Sequence, residues 1–216
     1  KGAKLVGMQY GGGYGVQPYA SSTELETDLV DLYLTWGWEP KIKNEKVKRF
    51  FTSKSYWIKK YDYNKNGKII LINSGLRNYF IHPFNQPPSF NKVYLNLIKN
   101  FINKLNQQNQ KEILNRFHFN FGYGEEELFK RDLKHIKISS RNESSHLYDL
   151  LFKSKLAIVT TNLTSFLQTF MINHPTILLW PKEFNSIKPE FDHYYKELEN
   201  AGILYFNSED CAAKVN

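Results

Sequence analysis

Three short stretches of this chain bring together residue types able to handle an anion or move a proton. Arg116-Phe117-His118 sets a guanidinium and an imidazole two positions apart. On a strand both leave the same face while Phe117 enters the opposite layer. An Arg and a His pointing one way suit a diphosphate, the first neutralising its charge and the second serving its leaving group. Thr160-Thr161-Asn162-Leu163-Thr164-Ser165 is a hydroxyl-rich turn into a helix. Free N–H groups and the dipole at a helix start favour an anion there, and ordinary capping by Thr164 or Ser165 is the plainer use of the same hydroxyls. Gly11-Gly12-Gly13-Tyr14-Gly15 lets backbone approach a phosphate or sugar. It lacks the Lys-Ser/Thr of a P-loop, and a turn needing positive φ explains it equally.

Metal chemistry finds less support. Asp62-Tyr63-Asn64-Lys65-Asn66-Gly67 copies the first half of a calcium loop, but Asn73 stands at the twelfth position where a bidentate Glu is needed. The stretch predicts a tight turn at Asn66-Gly67 instead. No Asp-X-Asp pair is present, and no metal site is expected. Glu24, Glu26, Asp28 and Asp31 are acidic candidates for a base, and a solvated helix face is the plainer reading of the first three.

The elements that position these residues follow from periodicity. From Gly67 onward, β-rich runs at Lys68–Asn73, Glu112–Phe117, Ile136–Ile138, Lys155–Thr160, Thr176–Trp180 and Ile203–Phe206 alternate with amphipathic stretches. That alternation predicts an α/β fold, a Rossmann-like parallel sheet whose ligands bind beyond the carboxyl ends of its strands. The clearest helix has Ser89 as cap candidate and carries Phe90, Val93, Tyr94, Leu97, Ile98, Phe101, Ile102 and Leu105 at three- and four-residue spacing. Further helices are expected at Glu125–Leu133, Ser144–Lys153, Thr164–Asn173 and Ile187–Asn200, with another starting at Glu209. Residues 1–40 read differently, with strands at Lys4–Met8 and ending at Trp36 around a short acidic helix near Thr23–Leu29. They are expected to need another domain to complete their sheet. Residues 41–66 then form a linker or crossover, and residues 67–216 the Rossmann-like domain, cut short at its carboxyl end; the chain reads as a piece of something longer.

Bulk properties narrow the partners. The 216 residues carry a net charge of +8, which favours an anionic partner. The lysines are spread from Lys41 to Lys196 without an arginine-rich helix or finger spacing, which points away from nucleic acid. The one cysteine, Cys211, excludes an intrachain disulfide framework and agrees with a reducing compartment.

Taken in order, these pieces resemble a family of transferases from O-antigen and surface-polysaccharide clusters. That family is similar in turn to CDP-glycerol glycerophosphotransferases, capsule transferases and bacterial polysialyltransferases. The resemblance rests on Gln9-Tyr10-Gly11-Gly12-Gly13-Tyr14-Gly15, Thr35-Trp36-Gly37-Trp38, Arg116-Phe117-His118, Thr164-Ser165 and Asn173-His174-Pro175-Thr176-Ile177-Leu178-Leu179-Trp180, and covers nearly the whole chain. It implies the carboxyl-terminal half of a metal-independent, two-domain GT-B glycosyltransferase, with residues 1–40 the end of its amino-terminal, acceptor-side domain and residues 67–216 its nucleotide-sugar-binding domain. The nucleotide-activated sugar is then substrate, no cofactor is required, and the acceptor is a polysaccharide or lipid-linked glycan. Location would be cytoplasmic, with peripheral contact at the cytoplasmic face of the inner membrane.

The resemblance implies a donor grip by Arg116, His118, Thr164 and Ser165, with Thr161 and Gln168 beside them. Gln9, Gly11, Gly12 and Gly13 form the acceptor-side loop, and His118, Tyr10 and Asp31 are the catalytic candidates. Tyr10 stands where relatives carry His, and Gln168 where they favour Glu. Two alternatives therefore stay open: a non-catalytic nucleotide-sugar-binding module, and an enzyme like a UDP-sugar epimerase on the same architecture.

Overall fold

A computed structural model describes residues 2–18, 21–40, 42–52, 60–78, 87–118, 121–139 and 146–216. Two all-parallel sheets organise it. The smaller holds β1 (Val6–Met8), β2 (Leu32–Thr35) and β3 (Val47–Arg49) in that order, with helix α1 (Ser21–Asp28) between the first two. The larger has six strands in the order β6-β5-β4-β7-β8-β9: β4 (Lys68–Ile72), β5 (Ile113–Arg116), β6 (Lys137–Ser139), β7 (Ser154–Val159), β8 (Thr176–Leu179) and β9 (Leu204–Tyr205). Chain order runs outward from β4 to β6, then returns to place β7 beside β4. This is the Rossmann-like arrangement, with its topological switch point between β4 and β7.

A parallel sheet covered on both faces needs apolar residues at successive positions, and β4 supplies Ile69-Ile70-Leu71-Ile72. Ile69 and Leu71 enter the layer under α2 (Pro88–Lys104), α4 (Glu125–Asp132) and α8 (Ser208–Val215), with Ile98, Phe101, Ile102 and Phe129. Ile70 and Ile72 enter the opposite layer with Leu151 of α5 (Leu147–Phe152), Phe166 of α6 (Thr164–Met171) and Trp180. The first sheet has its own small core of Tyr14, Val30, Tyr33 and Val47.

Each expected strand forms within one or two residues of its sequence reading, but four local expectations change. Pro88 rather than Ser89 opens α2, with Pro87 at the cap position, because a proline's missing N–H costs nothing in a helix's first turn. The stretch expected as one helix from Ile187 to Asn200 is broken at Pro189: two 3₁₀ turns (Lys182–Phe184 and Pro189–Phe191) precede α7 (Asp192–Asn200). A short helix, α3 (Gln107–Glu112), leads into β5, capped by the Asn106 side chain accepting from Asn109 N–H at 2.8 Å. β3 lies inside the stretch read as linker and pairs with β2 in parallel. The Asn66-Gly67 turn forms as expected, Gly67 N–H donating to Asn64 O at 2.9 Å. Residues 144 and 145, at the start of the expected Ser144–Lys153 helix, lie outside the described residues. Among the described residues no helix is long and apolar enough to cross a membrane.

Candidate functional site

The carboxyl ends of β4, β5 and β7 converge at the switch point, over a floor of buried polar groups. Tyr94 of α2 accepts from Ser74 N–H at 2.8 Å and reaches both Asn73 Oδ1, at 3.1 Å, and Thr160 Oγ1. Thr160 donates in turn to Ile72 O at 2.8 Å, and Asn73 donates through Nδ2 to Asn115 Oδ1. Burial pushes the Tyr94 phenol well above its ordinary range, so it stays protonated. One side chain thus ties the loops after β4 and β7 to the helix beneath them.

The loops after β4 and β5 pack against each other. A Cβ on Gly75 would stand 2.5 Å from the Phe121 ring and 3.2 Å from His118 Nδ1, so only glycine lets these loops close. His118, exposed just past the strand, lies parallel to the Phe121 ring at 5.7 Å, and Arg77 sits over the same ring at 4.3 Å. Arg116 ends β5. Burial alone draws its guanidinium below its ordinary value, and the group nevertheless remains cationic. Among the described residues neither Arg116 nor Arg77 has a carboxylate partner. Phe117 turns into the core against Phe129, 5.1 Å between centroids, as strand alternation requires. Arg77 went unread in the sequence; its signal was its place just after the central strand.

The start of α6 meets the Gly-rich loop, and here the capping expectation is corrected. Leu163 holds the cap position without a side-chain hydrogen bond, and Thr164 lies inside the first turn. The Thr164 hydroxyl accepts instead from Gly12 N–H at 2.9 Å. The glycine run is what permits this approach, since a Cβ on Gly12 would come 2.5 Å from the Leu163 carbonyl carbon. Thr161 is buried at the same turn. Ser165 has no hydroxyl partner among the described residues. Gln168, one turn on, lies beside the Tyr148 hydroxyl, which burial raises and which meets no partner at hydrogen-bonding geometry.

The first sheet's candidates separate. Gln9 is 3% exposed and acts as a clamp: Nε2 donates to Gly11 O at 2.6 Å, and Oε1 accepts from Trp36 N–H and Trp38 Nε1, both at 2.8 Å. Gly13 takes positive φ in the same loop. Tyr10 is exposed at that loop, its ring edge-on to Tyr14 at 5.3 Å. Asp31 is elsewhere. It precedes β2, at the end of the sheet away from the Gly-rich loop, and accepts from Leu5 N–H at 2.8 Å. Glu26 is not the solvated side chain expected, because its two oxygens accept from the Tyr14 and Tyr33 hydroxyls at 2.9 and 3.0 Å. Both phenols are raised, first by burial; Tyr10 and then Glu26 add to the rise at Tyr14, and Glu26 and then Tyr10 to that at Tyr33.

The structure therefore places Arg116, His118, Thr161, Thr164 and Ser165 at or just beyond the carboxyl ends of strands of the larger sheet, adds Arg77, and leaves Asp31 on the smaller sheet at its opposite end. Among the described residues no cluster of three His, Cys, Asp or Glu side chains is arranged to hold a metal. No curated protein and no solved structure matches the chain. A family model described as LIC12162 family transferase matches residues 1–216, the full length. The parallel α/β chain belongs to the LIC12162 family of transferases.

Proposed function

We propose that this transferase moves a sugar, or a sugar-like group such as glycerol phosphate, from a nucleotide-activated donor to a surface polysaccharide or lipid-linked glycan. In this reading the two sheets are the facing halves of a GT-B enzyme on the cytoplasmic side of the membrane. The observation that carries it is Arg116, a partly buried cation at a strand's carboxyl end, without a counter-charge among the described residues. A buried charge left unmatched by the protein is costly, and a donor diphosphate would match it.

In the transfer of a sugar, an acceptor hydroxyl oxygen attacks the donor's anomeric carbon as the bond from that carbon to the nucleotide phosphate oxygen breaks, and the hydroxyl proton passes to solvent. With a glycerol phosphate donor the same oxygen attacks phosphorus as the P–O bond to the nucleotide phosphate breaks. The electron pair leaves on the phosphate oxygen. Arg116 and the N–H groups at the uncapped start of α6 stabilise that charge, and His118 hydrogen-bonds to the departing oxygen. The acceptor side is the Gly-rich loop held by Gln9. Asp31 has no part in this arrangement, and nucleic acid is not a partner.

Calorimetry of the full-length protein with CMP-, CDP-, GDP- and UDP-linked donors tests the reading. One donor is expected to bind, and Arg116→Ala to weaken it. Absence of binding by all four overturns it. A non-catalytic module is the second reading, favoured by the phenol of Tyr10 standing where a base is wanted. Donor binding without transfer to any glycan would establish it, whereas release of an altered free nucleotide sugar would mark an epimerase.

A further inference from the structure

A separate cleft of about 470 Å³ lies between the loops of the first sheet and helices α6 and α7. That volume falls in the range of small-molecule sites. Its walls contrast chemically with the cationic crevice. Trp36 and Trp38 face it from one side and Tyr194, 55% exposed, from the other. Apart from its tyrosines, the charged or titratable groups are Glu39, Arg49, Glu190 and His193. Glu39 and Arg49 pair at 3.2 Å and cancel, while Glu190 has no ion-pair partner among the described residues.

Asn162 supplies the complementary function. Its Oδ1 accepts from Tyr195 at 3.2 Å, and its amide N–H groups have no partner among the described residues. Asn162 also closes the turn between β7 and α6, two residues before Thr164, so the cleft opens beside the proposed donor crevice.

We propose that this cleft binds an uncharged sugar ring, the acceptor end of the glycan. Rings with apolar C–H faces and hydroxyl edges match aromatic walls with a carboxylate acceptor and an amide donor between them. A surplus carboxylate opposes phosphate and uronate, so the donor's diphosphate is directed to Arg116 and the neutral sugar here. The identification as acceptor rests on the transferase reading above; the sugar-binding site does not.

The test is saturation-transfer NMR and tryptophan fluorescence of the full-length protein with methyl glycosides of glucose, galactose and N-acetylglucosamine, and with methyl glucuronide as the anionic control. At least one neutral glycoside is expected to bind saturably, with glucuronide excluded. Tyr194→Ala and the isosteric Glu190→Gln should each weaken that binding by about tenfold. Nucleotide affinity should stay within error for both variants, while Arg116→Ala should do the reverse. Loss of nucleotide binding throughout, with glycoside binding intact, sinks the transferase reading and leaves the sugar site standing. Three outcomes overturn the site: saturable binding by no neutral glycoside up to tens of millimolar, binding unchanged in both cleft variants, or a dimer in sedimentation that Tyr194→Ala dissociates, which gives the cleft to a second copy.

Discussion

Gln9 and Arg116 stand at comparable places, each at the carboxyl end of a parallel strand, and their polar groups meet opposite fates. Gln9 gives one hydrogen bond and accepts two, all from its own chain, and so fixes the Gly-rich loop against the Trp36-Gly37-Trp38 turn. Arg116 is drawn partly out of water with no counter-charge from the described residues. A polar side chain saturated by its own fold serves shape. One that the fold desolvates and leaves unmatched is held ready for a ligand, at some expense of stability.

Substitution around each residue sharpens the contrast, beginning where the loss should be greatest. Phe117→Ala, which removes a core ring beside Arg116, should cost about 3–5 kcal/mol in urea unfolding. Its neighbour His118→Ala should instead lower transfer while leaving the melting temperature nearly unchanged, and a large drop in stability would make that histidine structural.

Gln9→Ala strips the acceptor from the Trp36 N–H and the Trp38 indole and should cost about 2–3 kcal/mol. Nucleotide affinity should change little, since the clamp lies on the other sheet. Arg116→Ala should invert that result, weakening donor binding by about 1.5–3 kcal/mol in calorimetry, the usual worth of hydrogen bonds to a charged group, with stability equal or improved. Equal destabilisation by the two variants would erase the distinction. Ser165→Ala, with a smaller group at the helix start, should cost about 1 kcal/mol of donor affinity and nothing in unfolding.

The smallest expected effect is pH-dependent. His174 is 4% exposed, its Nε2 near Leu151 O at 3.0 Å and its Nδ1 near Pro175 O at 2.8 Å. Burial lowers it from 6.5, against the opposing pull of those carbonyls and Ser154. The unfolded chain therefore binds the proton more readily, and the stability contributed by the neutral ring is complete above pH 6.5 and declines as pH falls toward the folded value. His174→Gln should flatten that part of the unfolding profile. A profile unchanged by the substitution would show that His174 contributes nothing to it.

The larger sheet was legible because strands buried on both faces must be apolar at successive positions, and the run from Ile69 to Ile72 has few other uses. α3 escaped notice because none of its side chains is buried, so no apolar period marks it. β3 is one apolar residue followed by Lys48 and Arg49, and only its pairing with β2 makes it a strand. Within the site, Arg116 and the hydroxyl turn could be read from their positions after strands. Arg77 could not be ranked, because its interest lies in a Phe121 ring brought to it by another loop. Glu26 was misread because its partners Tyr14 and Tyr33 are not marked by any local pattern, and polarity alone looks like solvent; the bonds of Gln9 to Trp36 and Trp38, distant in sequence, were unreadable for the same reason.

The bond between Gly12 and Thr164 carries a kinetic implication. The Thr164 oxygen spends a lone pair on Gly12, and its proton remains to be given. If a donor phosphate takes that proton, the oxygen becomes a stronger acceptor, because hydrogen bonds in series polarise one another. Loading the nucleotide would then tighten the seam between the two sheets rather than compete with it. The glycan would meet a loop already stiffened, the order of addition would be donor first, and amide exchange at Gly11 and Gly12 would slow in proportion to donor occupancy.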